Sequence, residues 1–218
     1  MKTYRSVTVG SVFLTVALCF TAAAQDGRII SKQYDDGGVY EGTLKNGLQD
    51  GIGTYRLPNG YEYTGAWVLG EILGQGEAHF PNGAVYQGHF AKGKPDGIGK
   101  ITFGDGGTYE GNWSEGTISG RGVSVYSNST RYDGEFRDGM HNGSGIMTYP
   151  DGAIYEGTWV DNKKQGQAKV TYPDGALYIG EINDGLRDGE GNLTMPDGVI
   201  YEGMWKDGEI SGAGRLAQ

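Results

Sequence analysis

Residues 151–160 read DGAIYEGTWV. Asp-Gly is turn chemistry, and the tyrosine, glycine and tryptophan that follow sit at alternate positions. Nearly the same phrase occurs as NGAVYQGHF, GGTYEGNW and DGVIYEGMW elsewhere in the chain. The tyrosines of this phrase are Tyr40, Tyr63, Tyr86, Tyr109, Tyr132, Tyr155, Tyr178 and Tyr201, spaced by 23 residues with no insertion or deletion. A fixed period of this size marks a repeat architecture.

With the tyrosine as position 0, position 2 is always glycine, from Gly42 to Gly203. Position 4 holds Leu44, Trp67, Phe90, Trp113, Phe136, Trp159, Ile182 and Trp205. Position 11 is glycine in every copy, and position 13 is glycine except for Ala168. Position 17 is bulky (Leu57, Phe80, Phe103, Tyr126, Tyr149, Tyr172, Met195) and precedes Pro-Asn-Gly or Pro-Asp-Gly in most copies. Alternation with period two means strands, one face aromatic and glycine-lined, the other polar. A helix is excluded, since each interior glycine would cost about 1 kcal/mol against alanine. The glycines let rings lie flat over the backbone. On this reading positions 11 and 13 both serve that purpose.

The predicted fold is all-β: an elongated, single-layer antiparallel sheet of repeated β-hairpins with a 23-residue period. Two strands per repeat give a pitch of ~10 Å. One hairpin cannot bury its own face, so stability is shared between neighbours. The predicted organisation is a signal peptide at 1–24, an N-terminal half-repeat cap at 25–39, and eight repeats over 40–218, the last truncated. The array ends are expected to be sheet edges able to pair with another copy. Ser127-Asn128-Ser129 replaces the usual closing turn of repeat four and is expected to mark a local irregularity.

The first residues contain Lys2 and Arg5, then a mostly apolar run from Val7 to Phe20, then Ala22-Ala23-Ala24. This is the anatomy of a secretory signal cleaved near Ala24. It implies an exported protein, periplasmic or extracellular. The single cysteine, Cys19, lies inside that segment, so the processed chain is expected to hold no disulfide and no thiolate metal site. Net charge moves from −9 to −11 on processing, because Lys2 and Arg5 leave and no acid does. An acidic surface disfavours nucleic acid as a partner.

These motifs resemble the MORN repeat (membrane occupation and recognition nexus), whose pattern reads like YEGxWxxGxxxGxGxxxxxxG. Tyr201-Glu-Gly203-Met-Trp205-Lys-Asp-Gly208 to Gly212-Ala-Gly214 fits it throughout; repeat six departs at Asn162 and Ala168. The resemblance spans residues 28–216 and implies a noncatalytic module that dimerises, scaffolds proteins or associates with membranes. No room remains for an accompanying catalytic domain, so no enzyme activity and no cofactor are expected.

The residue chemistry agrees. His79 and His89 fall on the polar face and His141 in a loop, without metal-ligand spacing. Glu41, Glu110, Glu156 and Glu202 recur at position 1, which favours cross-strand pairing with Lys or Thr over a carboxylate pair for glycoside hydrolysis. Glycine-rich phrases lack the Gly-Lys-Ser/Thr and following helix of a phosphate loop. The one candidate binding feature is the aromatic seam of Tyr63, Trp67, Tyr109, Trp113, Tyr155, Trp159, Tyr201 and Trp205. As the only apolar face it is first of all the core; if open, it would take a peptide, a glycan chain or a lipid tail. The expected partner is another protein or a second copy of this chain, with a lipid- or glycan-binding trough as the alternative.

Overall fold

The computed structural model describes residues 27–217; the signal segment, with Cys19 and Ala24, lies outside the described residues. The described residues divide into two compact units, with the boundary between Thr117 and Ile118. Among the described residues all regular structure is β-strand.

In the first unit, β1 (Ile30–Gln33), β2 (Val39–Lys45), β3 (Leu48–Arg56), β4 (Glu62–Val68), β5 (Glu71–His79), β6 (Val85–Ala91), β7 (Lys94–Thr102) and β8 (Thr108–Ser114) pair each with the next, antiparallel. β9 (Thr117–Val125) starts at the last residue of that unit and runs into the second. There it pairs with β10 (Arg131–Arg137), and β11 (Met140–Thr148), β12 (Ile154–Val160), β13 (Lys163–Thr171), β14 (Leu177–Asn183), β15 (Leu186–Thr194) and β16 (Ile200–Lys206) follow in order. Two short strands, β17 (Glu209–Ile210) and β18 (Arg215–Ala217), pair with β16. Each unit is thus one antiparallel sheet of consecutive hairpins.

The two kinds of connection follow from residue chemistry. Positions 6 and 7 both have positive φ, as in Asn46 (51°) and Gly47 (81°), with Lys45 directly opposite Leu48. That is a two-residue hairpin turn of the kind whose twist matches the strands. At the other end an Asn or Asp at position 19 accepts from the backbone N–H two residues on: Tyr61 N to Asn59 at 2.9 Å, Ala153 N to Asp151 at 3.0 Å. Repeat four is not irregular there. Asn128 accepts from Thr130 N at 3.0 Å, Ser129 takes the glycine's place at φ 67°, and the flanking backbone bonds match those of the other turns.

Inside each hairpin the register shifts. Gly42 faces Gly53, but Leu44 faces Gln49, so Thr43 alone opposes Asp50, Gly51 and Ile52. The extra residues form a bulge, and position 11 sits in it with positive φ, 93° at Gly51. This corrects one expectation: the position 11 glycine is a bulge residue and not a place for a ring. Within the hairpin the shift puts position 9, and not 11, opposite the bulky position 4; position 11 pairs instead with position 4 of the next repeat, as Gly51 with Trp67.

Candidate functional site

The aromatic face is built in layers from the repeat frame. The tyrosine at position 0 lies over the glycines at positions 2 and 13 of its own hairpin. A Cβ added at Gly42 would come within 2.6 Å of the Tyr40 ring and 2.8 Å of Gly53 Cα, so only glycine fits beneath the ring there. Each phenol donates to the backbone carbonyl three residues on: Tyr40 to Thr43 O at 2.9 Å, Tyr86 to His89 O at 2.9 Å, Tyr178 to Glu181 O at 2.8 Å. The buried hydroxyl is satisfied, and burial pushes the phenol pKa of Tyr109, Tyr155 and Tyr178 up to about 12.

The bulky residue at position 4 then meets the tyrosine of the preceding repeat edge-on. Ring centroids are 5.3 Å apart for Tyr40–Trp67, 5.1 Å for Tyr86–Trp113 and 5.6 Å for Tyr178–Trp205. The indole N–H reaches back 14 residues to a position 13 carbonyl: Trp67 to Gly53 O at 3.2 Å, Trp113 to Gly99 O at 3.2 Å, Trp205 to Gly191 O at 3.1 Å. All eight seam residues, Tyr63, Trp67, Tyr109, Trp113, Tyr155, Trp159, Tyr201 and Trp205, come onto this face and are at most 8% exposed. The rings cover one another.

Neighbouring repeats are also clasped at the turns. The position 7 N–H donates to the position 9 carbonyl of the preceding repeat, as in Gly70 N to Gln49 O at 2.8 Å and Gly185 N to Lys164 O at 3.1 Å. Asp50 and Asp96 add side-chain acceptors for the turn N–H groups of Leu69 and Glu115.

On the aromatic face the copies differ in polarity at positions 9 and 17, which pack against the rings. Position 9 is Gln49, Ile72 and Pro95 in the first unit and Ile118, His141, Lys164, Arg187 and Ile210 in the second. Lys164 Nζ lies 4.5 Å from the Tyr155 ring centroid and 5.0 Å from Tyr149's, and donates to the Tyr149 hydroxyl at 2.8 Å. The Arg187 guanidinium lies 3.9 Å from the Trp205 ring. Such cation–π contacts let a cation sit on an otherwise apolar face.

His141 is not in a loop. It belongs to β11, is 4% exposed, and stacks on Tyr132 with centroids 3.8 Å apart. Its Nε2 is 2.7 Å from the Tyr126 hydroxyl, and Trp159 lies edge-on at 5.1 Å. Among the four tryptophans, Trp159 is the one whose Nε1 has no acceptor, and His141 Nδ1 is likewise unpaired. Desolvation lowers the His141 pKa to about 4. His79 is exposed beside Glu77, and His89 Nδ1 lies 3.0 Å from Asp96 O. The sequence expectation missed position 9 because it began the second strand at position 11; β11 starts at Met140, and alternation then puts His141 on the same face as Gly145 and Met147. The 23-residue succession His141, Lys164, Arg187 was the available signal.

The polar face carries the recurring glutamates in surface pairs. Arg56 bridges Glu41 at 2.8 Å and Glu62 at 3.0 Å, and Lys100 meets Glu110 at 3.7 Å. Glu156 stands opposite Lys169 in register. Among the described residues no three His, Cys, Asp or Glu side chains gather as metal ligands.

Comparison with known proteins gives the same frame. The MORN repeat family model matches residues 40–60, 63–85, 86–108, 109–131, 132–154, 155–177, 178–200 and 201–217. Rat Alsin is 42% identical over 67 residues, which is 25% of this chain and 4% of Alsin's length. Human Alsin is 39% identical with the same coverage. The chain therefore corresponds to a small fraction of these curated relatives. Among solved structures, the TCP10 domain of zebrafish CPAP is similar with a TM-score of 0.50 at 20% identity, covering 89% of each chain. That likeness is one of fold. Eight matched copies across residues 40–217 place this chain in the MORN repeat family.

Proposed function

We propose that the protein is an exported, noncatalytic MORN-repeat scaffold that works through protein–protein contacts, including self-association. The observation that carries this reading is the division of labour along the repeat. Every residue that recurs in all copies is consumed by the fold: Tyr on its glycine pair, the bulky residue at position 4 against the preceding tyrosine, the bulge glycine. Among the positions that differ between copies, 9 and 17 lie on the aromatic face, where Lys164 and Arg187 sit over the rings. Variation on a rigid repeat frame supports contact with a partner, since such arrays present extended surfaces. The signal-like residues 1–24 support export.

Affinity capture from cell-envelope extract, with the processed chain as bait, tests the scaffold reading; specific, stoichiometric protein partners are expected, and their absence from both extract and self-association assays overturns it. Light scattering after size exclusion tests the self-association part, which a strict monomer removes. Amino-terminal sequencing of the protein recovered from the envelope fraction tests export, with Gln25 expected first. Binding of an envelope lipid or glycan by the seam requires the buried rings to open. Co-sedimentation with liposomes and with peptidoglycan tests that alternative, and no pelleting at low salt removes it.

A further inference from the structure

We infer that the aromatic face of the second unit docks an extended, proline-rich peptide segment with an acidic side chain at every third residue, carried by the protein partner proposed above. This rests on the scaffold reading and adds the chemistry of what is recognised.

Four observations converge. First, charge. In the second unit, frame positions 0, 2, 4, 9, 13, 15, 17 and 21 contain no Asp or Glu, and the only Lys or Arg among them are Lys164 and Arg187. The acids sit at positions 1, 3, 6, 8, 10, 12 and 19, on the opposite face, in turns or in the bulge. An acidic protein thus presents one face whose formal charge is positive, complementary to an acidic ligand.

Second, donors. Tyr126, Tyr149 and Tyr172 occupy position 17 in successive repeats and are half-buried to exposed; the Tyr126 hydroxyl is paired with His141 Nε2, so the donors are those of Tyr149 and Tyr172. Lys164 donates into the Tyr149 oxygen, so the proton of that phenol is directed elsewhere. A polyproline II segment has no internal hydrogen bonds, and its carbonyls need outside donors.

Third, pitch. One repeat is two strand spacings, ~9.4–9.8 Å, and three residues of polyproline II rise ~9.3 Å. Across Tyr126, Tyr149 and Tyr172 the accumulated mismatch is about 1 Å by the same figures. A segment lying across the strands therefore meets an equivalent tyrosine at every turn, with its third-residue side chains in step with Lys164 and Arg187. Fourth, contrast. Between Leu57 and Phe103 of the first unit the same positions are Leu57, Ile72, Phe80, Pro95 and Phe103, which offer no hydroxyl and no charge, whereas at the amino-terminal edge Tyr34 carries a hydroxyl that Gln49 donates to. Proline rings packing on aromatic faces complete the mode of recognition.

The test uses fluorescence anisotropy of the purified chain with labelled peptides at about 0.15 M salt. The probes are five tandem copies of Pro-Pro-Glu, the same length of Gly-Ser-Glu, and the same length of Pro-Pro-Lys. Saturable binding of the first, at least tenfold tighter than either control, is expected. The triple variant Tyr149→Phe, Lys164→Ile, Arg187→Ile is expected to lose at least tenfold, and Phe80→Leu in the first unit to lose nothing. Isoleucine already occupies position 9 at Ile72, so the frame accepts it; circular dichroism verifies the fold. Tyr172→Phe, which removes only a hydroxyl, provides a second variant and is expected to weaken binding several-fold. No saturable binding, equal binding of the flexible acidic peptide, or an unaffected triple variant would overturn the inference. Captured native partners that the Pro-Pro-Glu peptide fails to displace would leave the scaffold reading standing and sink this one.

Discussion

His141 offers a measurement of how the outer layer is tied to stability. Its ring is 4% exposed, packed on Tyr132 and Trp159 and bonded to Tyr126, and its neighbours there are uncharged. Burial lowers its pKa to about 4, whereas an exposed histidine in the unfolded chain titrates near 6.5. The folded pKa is depressed, so the unfolded state takes up the proton first on acidification. The contribution is fully present above pH ~6.5, falls as the pH drops, and is exhausted below about 4. At pH 4.5 the chain is two units below the ordinary histidine value, each worth about 1.4 kcal/mol, so about 2–3 kcal/mol is lost relative to pH 7.5. Carboxylates also titrate in this range, so the quantity to measure is a difference. Urea unfolding of the native chain and of His141→Ile at both pH values isolates it. The native chain should lose about 2–3 kcal/mol more than the variant. Equal losses would refute the assignment of a buried, neutral histidine.

Three further outcomes test the frame. Gly191→Ala places a Cβ against the Tyr178 ring and should cost about 1–3 kcal/mol as overpacking, read as a lower urea midpoint at unchanged slope; no loss would mean the ring does not rest on that glycine. Leu69 occupies the left-handed region at φ 47° while more than half exposed, so Leu69→Asn should raise stability by about 0.5–1 kcal/mol; a lower thermal midpoint would count against the turn assignment. Desolvation raises the pKa of the position 0 tyrosines from Tyr40 through Tyr178. A phenol whose folded pKa is raised stabilises the fold below its unfolded value near 10, and that contribution fades as the pH climbs. In an absorbance titration at alkaline pH these tyrosines should therefore ionise together with loss of the β-sheet circular dichroism, and gradual ionisation of all tyrosines in an intact fold would contradict it.

Much of this fold could be read from spacing alone. A period of 23 residues fixed the strands, the turns and the face on which Tyr40 and its successors lie. Three features escaped, each for a physical reason. Gly51 and its equivalents look like ring sites by alternation, but a bulge with positive φ takes them out of the face. His141 lies just after the hairpin turn and reads as a loop residue, yet β11 already starts at Met140 and pairs His141 with Phe136, against Tyr132. Ser127-Asn128-Ser129 looks irregular, but Asn128 supplies the turn acceptor and Ser129 tolerates the glycine conformation. The recurring Tyr-Gly-Trp phrase drew attention because it repeats, and what repeats here builds the frame. Lys164 and Arg187 also succeed one another at 23 residues, but their place over Tyr155 and Trp205 comes from the structure.

The central claim is that recognition resides where the repeats differ and folding where they agree. It is tested most directly by capturing partners from the same extract with two baits, the native chain and the Tyr149→Phe, Lys164→Ile, Arg187→Ile variant. The proteins specifically retained by the native chain should be lost from the variant while its thermal midpoint stays within a few degrees. Retention of the same proteins by both baits would contradict the claim.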